Sequence, residues 1–204
     1  LKLRSEQTIE ALPFTGSLGL PQPLETERET GSLTISAEDM VVETQASTGL
    51  RQVNAPEGAL AAYRFHGRPL ALEVKLRRLE PVVQVAARVT VRLEEARLLV
   101  AHTLNLNVEK AGLYRVELGP LGDLQVSDVR GEGVEDWKAK DGHLSVSFGS
   151  RVLGARRLEV QLEQAQKTFP EQLTITSLRL TGAAKETAQV GAAEPAKRLK
   201  VGLI

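Results

Sequence analysis

The chain has 204 residues, with 26 Lys and Arg balanced by 26 Asp and Glu, 42% hydrophobic residues and no cysteine. That length buries roughly 70% of the unfolded surface without a staple, and the apolar content is too high for a disordered chain. Zero net charge excludes a global field that would draw in nucleic acid. The missing cysteines exclude a disulfide framework, thiol catalysis and thiolate zinc sites.

Leu1–Gln7 reads as a short strand, followed by a loop around Pro13, Gly16, Gly19, Pro21 and Pro23. Ser32–Ser36 and Met40–Thr44 are short strands, and Asn54-Ala55-Pro56-Glu57-Gly58 is a turn by its Pro and Gly chemistry. Ala59–Phe65 leads to Gly67-Arg68-Pro69, after which a two-residue rhythm runs from Leu70 to Phe148, interrupted once at Pro81. Leu70, Leu72, Val74 and Leu76 form one face; Val83, Val85, Ala87, Val89, Val91 and Leu93 form the next. Successive strand side chains point to opposite faces, so this spacing builds sheets with one dry and one wet face.

A hairpin at Glu94–Arg97, with a helical turn over Leu93–Val100 as the alternative, then returns a strand with Leu98, Val100, His102, Leu104, Leu106 and Val108 inward. Lys110-Ala111-Gly112 is expected to turn the chain into Leu113–Leu118, with Tyr114, Val116 and Leu118 on one face. Leu124–Val129 is a strand, Arg130–Gly133 a turn, and Trp137 sits in the strand ending at Asp141-Gly142. An Asp-Gly pair between alternating runs is the strongest short hairpin signal. Leu144, Val146 and Phe148 carry the return strand, Leu158, Val160 and Leu162 the next, and Leu173–Leu180 and Leu199–Ile204 follow.

About sixteen strand segments with turn signals between them indicate an all-β protein, an antiparallel β-sandwich. Their number exceeds one immunoglobulin-like domain, so the sandwich is either enlarged or built as two packed sandwich units. The expected division is a short-strand segment 1–57, either separate or part of the same sandwich, a main sandwich 58–182 and a C-terminal segment 183–204. Offsetting the chain by 157 residues lays Leu158–Gln164 on Leu1–Gln7, Pro170 on Pro13 and Lys185-Glu186-Thr187 on Arg28-Glu29-Thr30. On that echo, 183–204 opens the next copy of a tandem repeat.

Candidate sites are few. Among His66, His102 and His143 no two are spaced as a metal pair, and His102, between apolar neighbours, reads as a hydrogen-bonded core histidine. The acids Asp128, Glu132, Glu135, Asp136 and Asp141 match no calcium-loop spacing and are interleaved with Lys138 and Lys140. Gly131-Glu132-Gly133 opens like a dinucleotide fingerprint but lacks its third glycine and a βαβ context. No nucleophile elbow or phosphate loop occurs, so no catalytic, cofactor or metal residue is assigned. The residues read as ligand or partner contacts are Trp137 and Tyr63, which with Tyr114 and Phe65 either form a small aromatic platform or fill the core, and Arg151, Arg156 and Arg157, either a local basic spot or an ordinary charged loop.

Tyr63-Arg64-Phe65 before Arg68-Pro69-Leu70, Ala111-Gly112-Leu113-Tyr114, and Gly131–Trp137 before Asp141-Gly142-His143-Leu144 occur in that order. Together, over Tyr63–Glu163, they resemble uncharacterised β-sandwich regions of very large secreted or envelope-anchored bacterial proteins. The resemblance implies a non-catalytic scaffold or binding segment outside the cytoplasm and carries over no functional residues.

The first residue is Leu1 and no basic-then-apolar leader follows, so the chain reads as a mature fragment of a larger protein. The functional expectation is a structural or interaction module, extracytoplasmic, with a protein or polysaccharide partner, no nucleic acid and no membrane insertion. The alternatives are a carbohydrate-binding module, centred on Trp137, and an accessory domain of a hydrolase.

Overall fold

The computed structural model describes residues 8–25, 27–94, 97–166, 172–175, 177–192 and 200–203. The described residues form strands and no helix, so none supplies a helix long and apolar enough to cross a membrane. The protein is an all-β, sandwich-like fold of antiparallel sheets, with two parallel pairings added. It divides into two compact units, Leu1–Glu80 and Pro81–Ile204.

Unit 1 contains β1 (Phe14–Ser17), β2 (Gly31–Ile35), β3 (Met40–Thr48), β4 (Arg51–Val53), β5 (Ala61–Phe65) and β6 (Ala71–Arg78). They make two three-stranded sheets, ordered β1-β6-β3 and β2-β5-β4. Ala61 and Tyr63 from one sheet and Leu72 and Val74 from the other share one buried cluster, with Leu33, Ile35, Val42, Leu50 and Leu76 packed around it. The dry face expected from Leu72, Val74 and Leu76 is therefore real, and what it meets is the face carrying Tyr63.

Unit 2 begins with β7 (Val82–Leu93), β8 (Arg97–Gly119), β9 (Gln125–Gly131), β10 (Val134–Lys140) and β11 (His143–Ala165). It ends with β12 (Gln172–Ile175), β13 (Arg179–Leu180), β14 (Lys185–Ala192) and β15 (Lys200–Leu203). β12 and β15 pair in parallel as a two-stranded sheet. The other seven strands form one continuous sheet that supplies two layers.

The two layers exist because β8 and β11, each 23 residues long, change partners along their length. The first half of β8 lies between β7 and the second half of β11, which also pairs β9; β14 adds in parallel to the free edge of β7. The second half of β8 lies between β13 and the first half of β11, which also pairs β10. Val83, Val89, Leu104 and Leu158 from the first layer and Leu118, Leu144 and Val146 from the second belong to one aliphatic core. Burying each such side chain contributes roughly 1.5–3 kcal/mol relative to exposure.

The corner between the layers is made by two opposed bulges. Val108 pairs with Gly154 and Leu113 with Val152, so Glu109–Gly112 of β8 faces Leu153 alone. Arg115 pairs with Ser147, so Phe148–Arg151 of β11 faces Tyr114 alone. Extra residues in one strand bend it and increase its twist. Lys110 takes a left-handed φ of 68° within the first bulge. Where a turn was expected at Lys110–Gly112, the strand bends and continues. The bulge also shifts the alternation: Leu113 is buried, and Tyr114, expected beside Val116 and Leu118, is 59% exposed.

Asp141 and Gly142 both have positive φ, 51° and 76°, and close Lys140 onto His143 as a two-residue hairpin. Those are the backbone signs of a type I′ turn, whose twist matches the flanking strands. The hairpin β7–β8 and the turn at Pro56–Gly58 also form as the sequence indicates.

The two compact units part between Glu80 and Pro81 rather than at 57/58 or 182/183, and the short-strand segment joins the strands that follow it. β4 pairs β5 and β3 pairs β6 across the first, and β14 joins the seven-stranded sheet across the second. The boundary between the two compact units is the interruption at Pro81, not the turn at Asn54–Gly58. Of the proposed 157-residue echo, Leu1–Gln7 and Pro170 lie outside the described residues. Its later part places β2 on β14, which pair differently: β2 antiparallel with β5, β14 parallel with β7.

Lys110→Val tests the corner. A β-branched residue at left-handed φ is strongly disfavoured, so urea denaturation is expected to show a loss of about 1–2 kcal/mol. A midpoint equal to that of the parent chain would mean Lys110 does not hold this conformation.

Candidate functional site

Tyr63 is 1% exposed and belongs to the core of unit 1. Its hydroxyl lies 2.6 Å from Thr44 Oγ1, a hydrogen bond joining β5 of one sheet to β3 of the other. A ring enclosed this way has no face for a ligand, and its polar atom is satisfied internally, as buried Tyr requires. Trp137 lies in unit 2, opposite Val146, and packs against the aliphatic core of that unit from edge strand β10. Each ring therefore anchors the core of its own unit, and Trp137 also lines a hollow on the face of unit 2.

The three arginines do not make one basic spot either. Arg156 and Arg157 are neighbours on a strand and point to opposite faces. Arg156 is drawn inward, its side chain 19% exposed, with Nη1 2.7 Å from Glu132 Oε2 across the β9–β10 turn. Its Nε is buried without a hydrogen-bond partner among the described residues. Arg151 lays its aliphatic stem against Gly112, where a side chain would collide with it, so it fastens one bulge of the corner to the other. Arg157 alone stands on an open face, 65% exposed and 2.7 Å from Glu159 through Nη2.

That face is the outer side of the layer β14-β7-β8-β11. Because inward positions alternate with outward ones, cross-strand pairing sorts its residues into rows. One row is Lys185, Gln84, Asn107 and Ala155; the next is Thr187, Ala86, Asn105 and Arg157; the third is Gln189, Arg88, Thr103 and Glu159. Two adjoining depressions of about 530 and 400 Å³ lie over these rows and share Ala86, Asn105 and Thr187. Small Ala86 and Ala155 leave the hollow, and longer amide and cationic side chains wall it. Arg88, Arg157 and Lys185 line it, and no carboxylate does.

Gln84, Ala86 and Arg88 alternate with inward Val83, Val85 and Ala87, which by itself marks them only as the wet side of a strand. A signal was nevertheless present: the outward positions from Gln84 to Arg92 and from Thr103 to Asn107 contain no acid, in a chain with equal numbers of acids and bases. What the sequence did not show is that β14 brings Lys185, Thr187 and Gln189 beside them through a parallel pairing. On the reverse side of β14, burial raises the Glu186 carboxyl above its ordinary value, opposed by the Arg179 charge and a backbone hydrogen bond with Leu180.

The opposite layer has a smaller hollow of about 340 Å³ in which charges alternate. Its rows are Asp136, Ser147, Arg115 and Lys138, Ser145, Glu117. Asp136 and Lys138 are 3.7 Å apart and both exposed, an arrangement worth little in solvent. His143 and Asp141 sit at its end, where His143 Nδ1 is 3.1 Å from the Asp141 backbone carbonyl rather than its carboxylate. In unit 1, a hollow of about 530 Å³ is lined by residues 22–25 and 27–29 and by His66 and Arg68. Arg68 is already committed there: Nε and Nη2 donate to Glu29 at 2.6 and 3.0 Å, and Nη2 also to the Pro21 carbonyl.

His102 is a core residue, as its strand position indicates, but not a hydrogen-bonded one. It is 1% exposed, and neither ring nitrogen has a hydrogen-bond partner among the described residues. Val89 and Val160 stand directly across from it on the flanking strands. Desolvation pushes the imidazole from 6.5 down to about 4, so it is neutral at physiological pH. Among the described residues no group of three His, Asp or Glu is placed to hold a metal ion. No protein-family model, curated protein or solved structure matches the chain.

Two outcomes are expected. Because the folded pKa of His102 lies below the unfolded one, its neutral form supports folding fully above pH 6.5, and that support is lost as pH falls toward 4. The loss amounts to about 3 kcal/mol. His102→Leu should therefore gain on the parent chain by that amount between pH 7 and pH 4 in urea melts; a pH-independent difference would exclude imidazole protonation. Tyr63→Phe should cost about 1 kcal/mol through the lost inter-sheet hydrogen bond, and an unchanged midpoint would show that this bond adds nothing.

Proposed function

We propose that this chain is a non-catalytic structural or interaction module, one segment of a larger extracytoplasmic bacterial protein. The observation that carries the reading is the outer face of β14-β7-β8-β11. A polar surface four strands wide is presented on a rigid aliphatic core, in rows held in register by backbone hydrogen bonds. A paired sheet holds such side chains at fixed spacing at little entropic cost on binding, which suits recognition. The enclosed imidazole of His102 supports the same reading. Among the described residues it has no polar partner to exchange a proton with, whereas a general acid or base works within hydrogen-bond reach of its target. The extracytoplasmic assignment rests on the resemblance of Tyr63–Glu163 to β-sandwich regions of secreted and envelope-anchored proteins.

Incubation of the purified chain with chromogenic glycosides, esters and peptides is expected to give no turnover above buffer. Turnover abolished by a substitution in the chain itself would overturn the non-catalytic reading. Fractionation of cells producing the tagged parent protein is expected to place it in the envelope or medium, and recovery from the cytosol would overturn the assignment.

A further inference from the structure

We propose that the outer face of β14-β7-β8-β11 binds an acidic, uronate-bearing polysaccharide. The proposal rests on the interaction-module reading above and gives it a site and a ligand class. Charge complementarity is the first argument. Arg88, Arg157 and Lys185 line the two adjoining hollows, and the lining contains no carboxylate, although the whole chain is electrically balanced. No ion pair engages Arg88 or Lys185 among the described residues, and Arg157 gives Glu159 one of its terminal nitrogens. A guanidinium has five N–H donors in a planar fork that matches a carboxylate.

Spacing points to a polymer. Rows on one face of a strand are about 7 Å apart and strands about 4.8 Å apart. Arg88 and Arg157 are one row and two strands apart, Arg88 and Lys185 two rows and one strand. Arg157 and Lys185 are one row and three strands apart, so the three Cα atoms lie about 12–16 Å from one another. A small anion meets at most two of these cations, whereas an extended chain with repeated carboxylates meets all three.

The groups between the cations select a glycan among polymers. Gln84, Asn105, Asn107 and Gln189 carry amides, and Thr103 and Thr187 hydroxyls. Each amide or hydroxyl both donates and accepts, as sugar hydroxyls do. Ala86 and Ala155 let a ring approach the sheet closely. No aromatic side chain lines either hollow, so the stacking that holds single-stranded nucleic acid is missing. Without stacking, affinity depends on charge, which favours an acidic over a neutral polysaccharide.

The test titrates the full chain by calorimetry with polygalacturonate and alginate. Dextran, polyglutamate and oligo-dT serve as comparators, and a reducing-end assay is run on the same samples. Expected is binding to the uronates, weaker by about tenfold or more to the other three, and weakened as salt rises. Arg88→Ala with Lys185→Ala should reduce uronate binding at least about tenfold. Lys138→Ala with Lys140→Ala, on the opposite layer, should leave it unchanged. All four side chains are exposed, and thermal melting confirms that each variant is folded.

Absence of uronate binding, equal binding of polyglutamate or oligo-dT, or loss only in the Lys138 and Lys140 variant would each overturn the proposal. The module reading survives those results. It falls instead if new reducing ends appear, whatever the binding data.

Discussion

The pairing of β8 with β11 is the constraint on which unit 2 depends. Two 23-residue strands cannot stay flat and still bury their aliphatic faces, because a single sheet layer leaves its dry side in water. The opposed bulges at Glu109–Gly112 and Phe148–Arg151 let both strands turn the corner without giving up partners on either side of it. One continuous ladder thereby supplies both layers, and the inward residues of each half meet in one core. The local cost is a left-handed Lys110 and two residues, Tyr114 and Leu153, left exposed opposite the bulges.

That arrangement explains where chemistry is and is not found. Inward positions are almost all aliphatic, and His102 among them is enclosed between valines and neutral. Arg151 and Arg156, which stand near the corner and the β9–β10 turn, are held by Gly112 and Glu132 and serve the fold. Trp137 and Tyr63 do likewise, each for its own unit. The face proposed for recognition is that of the outward rows, where Arg88, Asn105, Arg157 and Lys185 sit on strands whose spacing the backbone sets.

Unit 1 solves the same problem on a smaller scale, with two three-stranded sheets instead of one bent one. Its core is small enough that a single polar contact, Tyr63 to Thr44, forms part of the seam. The two-residue rhythm is the same on both sides of Pro81. Periodicity reports that a strand has a dry face and is silent on which core that face enters. Leu72 and Val83 look alike in sequence and are buried in different units.

What the sequence determined by itself was the class, the inward residues of most strands, the Asp141-Gly142 hairpin and the polar character of the wet faces. These are local properties: alternation follows from strand geometry, and a type I′ turn from two residues that tolerate positive φ. Only the tertiary structure decided the boundary at Pro81, the corner in β8 and β11, the parallel seating of β14, and the inward or outward fate of Trp137, Arg151 and Arg156. Each of these depends on which distant strand supplies the hydrogen-bond partner. Pairing between segments about a hundred residues apart, as for Lys185 and Gln84, leaves no mark in either segment alone.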